Sequence, residues 1–170
     1  MITNSRLFEE VKSVAYVSMG VLFLGALSQI TIPLKPIPIT MQTVAVLSLG
    51  LFYDRKEAIR SVVGYIALGT MLPLFPGYAY AGSKLLGPAG GYYLGFVLCA
   101  YAMGRLKGLI RSRMALCLIG QACIYAVGVP WLAAFVGLKA ALVEGMLVFA
   151  PSGLVKGMLL GYLCKKLSRR

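Results

Sequence analysis

The sequence contains no histidine and only five acidic residues among 170. Without imidazole and with carboxylates so scarce, a transition-metal site is not expected. The four cysteines, Cys99, Cys117, Cys123 and Cys164, form no CxxC pair. Each sits in apolar sequence and reads as a small core-like side chain rather than a redox or metal group. No P-loop, HExxH or Asp-rich diphosphate motif occurs, which argues against an enzyme and leaves no residues for ATP hydrolysis. No intramembrane acid pair is present for a proton relay either, so any pumping needs an energised partner.

Charge of both signs is sparse, at 13% of residues, while 59% are apolar and the mean hydropathy is +0.84. That leaves too little polar surface to cover a water-facing exterior, so lipid is the expected solvent. The fold class expected is therefore all-α: a polytopic integral membrane protein. At about 20 apolar residues per crossing, a chain of this length holds roughly five to seven spans in one domain, residues 1–170.

The net charge of +12 raises the question of nucleic acid, since clustered Lys and Arg mark a phosphate-binding surface. The basic residues instead fall in small groups between long uncharged stretches, the pattern of a membrane protein with positively charged inner loops, and no nucleic-acid partner is expected. The opening segment carries Arg6, Glu9, Glu10 and Lys12, and the apolar stretch after it is long enough to span. It is expected to be retained rather than cleaved as a signal peptide.

Six spans are expected, at about 14–34, 39–53, 58–75, 88–104, 114–131 and 151–167. Pro33, Pro36 and Pro38 close the first, Asp54 to Glu57 the second, and Pro73, Pro76 and Gly77 the third. Pro88 suits the first turn of the fourth, and Pro130 and Trp131 an interfacial end to the fifth. Pro151 suits the first turn of the sixth, with Leu138 to Phe149 forming a short helix at the outer surface that keeps Glu144 near water.

With the N-terminus inside, thirteen basic residues fall on the cytoplasmic side against Lys35, Lys84 and Lys139 outside. That asymmetry selects an N-in, C-in layout. Two ladders of small residues, Gly87, Gly91 and Gly95 and then Gly153, Gly157 and Gly161, suit close helix packing and also leave room for a ligand.

Lys156 remains, inside the sixth span. An ammonium there costs at least about 2.5 kcal/mol unless it snorkels, pairs or faces a wet cavity. No acid in that span neutralises it, so a ligand anion or polar ligand atom is the sharper reading and bonding to carbonyls the blander one. Thr40, Gln42, Thr43, Gln29, Ser83, Lys84, Tyr92, Tyr93 and Ser152 all fall toward the outer ends of their spans, with Gln121 the exception. Singly each reads as a helix-to-helix hydrogen bond; together they suggest a pocket open to the outside.

Three ordered segments carry a family resemblance: Ile32-Pro33-Leu34-Lys35-Pro36-Ile37-Pro38-Ile39-Thr40-Met41-Gln42-Thr43, Leu86-Gly87-Pro88-Ala89-Gly90-Gly91-Tyr92, and Phe149-Ala150-Pro151-Ser152-Gly153-Leu154-Val155-Lys156. The chain resembles the BioY family, the biotin-specific substrate-binding subunits of energy-coupling-factor (ECF) transporters. The resemblance implies six helices in a bacterial inner membrane and a biotin pocket near the outer face. It also implies docking to a transmembrane coupling subunit with two cytoplasmic ATPase subunits. Biotin is then the transported ligand and no cofactor is required. Lys156 matches a ligand-binding lysine of the family, and Gln42, Thr40, Lys84, Tyr92 and Ser152 stand as its pocket neighbours.

Gly153 occupies the place where the family usually has an aspartate. Either Ser152 or a backbone carbonyl substitutes as the acceptor, or affinity is lower, or the ligand is different. The rival readings are a carrier for another vitamin, an intramembrane enzyme, and a structural membrane protein that binds no small molecule.

Overall fold

The computed structural model describes residues 2–34, 37–147 and 162. Helix α1 (Ile2–Ser28) leads into a two-stranded antiparallel pairing of β1 (Thr31–Ile32) with β2 (Ile39–Thr40), followed by α2 (Gln42–Phe52) and α3 (Arg55–Leu68). A short α4 (Ala81–Leu85) precedes α5 (Gly90–Leu106) and α6 (Arg113–Val136), and α7 (Leu138–Leu142) runs into a single π-helical turn, Val143–Leu147. Among the described residues, Leu7–Ser28 and Arg113–Val136 are long and apolar enough to cross a bilayer. The sixth expected span, with Lys156, Ser152 and the second glycine ladder, lies outside the described residues.

The helices begin and end differently from the uncharged stretches. The first runs from Ile2 rather than residue 14, because charged side chains do not stop a helix, and it ends at Ser28 rather than residue 34. After it the β-branched residues Thr31, Ile32, Ile39 and Thr40, flanked by Pro33 and Pro38, hold the backbone extended and pair Thr31 with Thr40 and Ile32 with Ile39. The loop expected between the first two spans thus carries a short strand pairing, in a chain that is otherwise mostly helical.

The third helix stops at Leu68, not residue 75. The Phe75 ring folds back over Gly69, where an added Cβ would lie 2.2 Å from it, and stacks on Tyr65 at 4.8 Å. The fourth expected span begins at Gly90, two residues after Pro88, and only glycine fits there, since an added Cβ would run into the Leu85 carbonyl oxygen. The fifth passes through Pro130 and ends at Val136, where Gly137 takes a φ of 82°. Pro130 lacks the N–H that would bond the carbonyl four residues earlier, a loss that membrane helices tolerate where neighbouring groups re-satisfy the freed carbonyl.

Backbone closeness joins α5 to α6. A Cβ on Gly95 would lie 2.9 Å from the Cα of Ile124, and one on Gly91 only 2.2 Å from the Cβ of Trp131. Gly128 faces the ring of Tyr92, and Gly20 brings α1 against Ser61 of α3. The first glycine ladder therefore packs helices at Gly91 and Gly95, as small residues do where no hydrophobic force separates helix from lipid.

The two ends of the bundle differ. At one end Lys107 pairs with Asp54 at 3.6 Å and donates to the Tyr53 carbonyl, Arg55 sits over the ring of Tyr101, and Arg60 donates to Ser13. At the other end, the Gln29 amide donates to the Leu74 and Phe75 carbonyls at 3.2 Å and accepts from the Tyr78 N–H. The Trp131 indole also donates there to the Gly87 carbonyl.

Candidate functional site

At this second end a pocket opens between the β1–β2 hairpin and helices α2, α4, α5 and α6. Its walls are largely apolar, with Ile37 and Pro38 from the hairpin, Phe96 from α5 and Ile124 from α6. The space between them, open mouth included, is about 620 Å³. A few polar groups project into this apolar setting, the composition by which such sites orient a ligand.

Thr40, Gln42, Lys84 and Tyr92 all line this pocket, although they come from four separate elements. Thr40 ends β2, and its hydroxyl donates to Gln42 Oε1 at 3.1 Å. Gln42, only 2% exposed at the first position of α2, passes the connection on. Its Nε2 donates to the Tyr65 hydroxyl at 2.8 Å, and that hydroxyl donates to the Leu74 carbonyl at 3.1 Å. The amide of Gln42 is thus held at both ends and fixes the start of α2.

Lys84 stands in the last turn of α4, half-buried and without an ion pair among the described residues. It is the basic residue that the described chain brings to the pocket wall. Tyr92, near the start of α5, lays its ring on Gly128 and donates its hydroxyl to the Gly145 carbonyl of the π-helical turn at 2.9 Å. Tyr93 joins an aromatic run, its ring 4.7 Å from Phe75 and 5.6 Å from Phe96. Ser152 and Lys156 lie outside the described residues.

Sequence reasoning missed two lining groups, Gln121 and Tyr125, both on α6. Gln121 stands out as a polar residue in an apolar span, but its depth separated it from the residues near the outer ends. Tyr125 gives no signal in a helix whose apolar residues surround it. Neither nucleophile-and-base pairing nor a cluster of metal-ligating residues occurs among the described residues at the pocket. The arrangement is built to enclose and orient.

The sequence matches the model of the BioY family over residues 2–170. The chain is 40% identical over 159 residues to the probable biotin transporter BioY of Rickettsia prowazekii, covering 91% of this chain and 80% of that one. It is 34% identical over 132 residues to the biotin transporter BioY of Thermotoga maritima, covering 75% and 78%. Its fold is similar to the crystal structure of the S-component for biotin from an ECF-type ABC transporter. The TM-score there is 0.80 and the identity 25%, covering 95% of this chain and 93% of the other. With the family match running through nearly every residue, and with relatives matched over most of their own length, this chain belongs to the BioY family.

Proposed function

We propose that the chain is the membrane subunit that captures biotin for uptake, binding it from the outer face of a bacterial inner membrane. It then delivers the vitamin inward together with an ECF-type coupling subunit and cytoplasmic ATPase subunits. The observation that carries this is the pocket itself: a largely apolar opening with Thr40, Gln42, Lys84 and Tyr92 on its walls, in a chain whose relatives are named biotin transporters. Biotin has a fused ring and an aliphatic chain to fill apolar space, and a carboxylate and a urea at its two ends. No bond is made or broken.

In this reading residues 1–170 form one domain of six crossings, N-in and C-in, with α1, α2, α3, α5 and α6 as the first five. The basic cluster of Arg55, Arg60 and Lys107 gathers at one end of the bundle and the pocket opens at the other, which suits an inner, positively charged face. Helices α2 and α3 have 11 and 14 residues. Each rises only about 16–21 Å against about 30 Å of hydrocarbon. The hairpin and the folded segment after α3 complete those crossings at the outer end. Lys156 and Ser152 complete the ligand's polar partners.

Equilibrium binding of radiolabelled biotin to detergent-purified wild type and Lys156→Met, beside a thermal-shift panel of vitamins, tests the reading. Saturable biotin binding that the substitution weakens at least tenfold is expected. A shift with another vitamin and none with biotin would instead assign the pocket to that vitamin.

A further inference from the structure

Tyr65 does not line the pocket, yet its hydroxyl touches a side chain that does. The residue is fully buried on α3 with its ring stacked on Phe75. Its hydroxyl stands between Gln42 Nε2 at 2.8 Å and the Leu74 carbonyl oxygen at 3.1 Å. Gln42 lines the pocket and is only 2% exposed. An amide side chain is planar, with an acceptor on one edge and donors on the other, so a half turn about its last bond exchanges the two and leaves the shape of the wall unchanged. Which edge meets a ligand is therefore decided by the groups behind the wall.

The hydrogen bonds set that orientation from the backbone outward. A carbonyl oxygen only accepts, and two oxygens 3.1 Å apart with no proton between them would repel, so the phenol proton of Tyr65 lies toward Leu74. With its single proton committed, the phenol oxygen is left to accept from Gln42 Nε2, which turns Oε1 toward the donating Thr40 hydroxyl at 3.1 Å. The far end of this chain is anchored in turn. Ser28, fully buried, reaches the same Leu74 carbonyl at 2.6 Å, and the Gln29 amide holds the carbonyls of Leu74 and Phe75. The Leu74 oxygen is thus kept where it orders the phenol.

We propose that Tyr65 is a positioning residue for ligand capture, its hydroxyl fixing from behind the pocket wall which edge of the Gln42 amide a ligand meets. The inference rests on the biotin reading only in taking this pocket as the ligand site, and it adds a residue that sets selectivity without touching the vitamin. A mismatched donor or acceptor in a buried site is penalised more than a misfitted apolar group. An amide free to turn therefore binds less tightly and discriminates less.

The full chain, purified in detergent, is titrated calorimetrically with biotin as wild type, Tyr65→Phe, Gln42→Met and the double variant. Tyr65→Phe is expected to weaken biotin roughly three- to tenfold, and to cause no further loss in the Gln42→Met background. A merely structural tyrosine would carry any affinity loss into both backgrounds. A second readout uses the wild type. The Gln42 side-chain amide protons, identified by their absence from the spectrum of Gln42→Met, should show a stronger nuclear Overhauser contact to the Tyr65 ring than to the Thr40 methyl. In Tyr65→Phe that preference should vanish.

Wild-type affinity for biotin in Tyr65→Phe, or the same loss in both Gln42 backgrounds, would overturn the positioning role while leaving the biotin reading intact. Equal contacts to ring and methyl in the wild type would also overturn it, even where Tyr65→Phe fails to fold. Wild type that binds another vitamin and no biotin would overturn the biotin reading instead, and the same cycle with that vitamin then decides the role of Tyr65.

Discussion

The carbonyl oxygen of Leu74 lies within hydrogen-bonding reach of three side chains, Ser28, Gln29 and Tyr65. Through Tyr65 it also connects to Gln42 and Thr40 at the pocket. Tyr65→Phe keeps the ring against Phe75 but removes the one group that both accepts from Gln42 and donates to Leu74. The carbonyl keeps its other donors, whereas the Gln42 Nε2 loses its buried acceptor, so a stability loss of about 1–3 kcal/mol is expected. Thermal melting of the ligand-free protein in detergent measures it. Tyr78 gives the opposite expectation. Its φ of 56° is a left-handed conformation and its side chain is 73% exposed, so Tyr78→Gly should raise the melting temperature through relief of about 1 kcal/mol. Thr40, Gln42, Lys84 and Tyr92 were readable one by one as polar residues near span ends, but the relay through Tyr65 was not. A tyrosine inside an apolar helix looks like packing until its distant acceptor is placed.

Among the elements, α5 and α6 form the tightest pair, and the glycines that allow it were visible as a ladder. Gly95→Ala would set a Cβ 2.8–2.9 Å from the backbone of Ile124, a pocket residue, and no side chain can give way there. Loss of folded yield and of biotin binding is expected, with Gly108→Ala, where nothing lies within 4 Å, retaining both; size-exclusion chromatography and ligand titration separate them. Hydropathy located the long helices but not their ends. It reads the absence of charge, so it could not see α1 continuing through Arg6 to Lys12, or α3 yielding to the backfolded Phe75. Nor did it see α6 continuing to Val136, because Pro130 and Trp131 read as an interfacial end, although a proline's cost depends on what surrounds the freed carbonyl. The β1–β2 pairing is two residues long on each side, too short for an alternating pattern to register.

For the molecule as a whole, the arrangement in the membrane follows from which end carries the positive charge. In a cysteine-free background, Lys56→Cys should react with an impermeant thiol reagent only after the inner face is exposed, and Thr70→Cys should react from outside in intact cells; the reverse pattern would invert the topology. Two walls of the pocket, α5 and α6, share one rigid junction, while Thr40 and Gln42 are held by a separate relay to the segment after α3. Tyr92 adds a third attachment, because the ring that walls the pocket also holds the Gly145 carbonyl. Fluorotyrosine placed at position 92 would therefore sense two neighbourhoods through one nucleus. A resonance that moves when vitamin is added, and moves separately when the turn at Val143–Leu147 is perturbed, would make this phenol an internal gauge of how filling the pocket is communicated to the chain that follows.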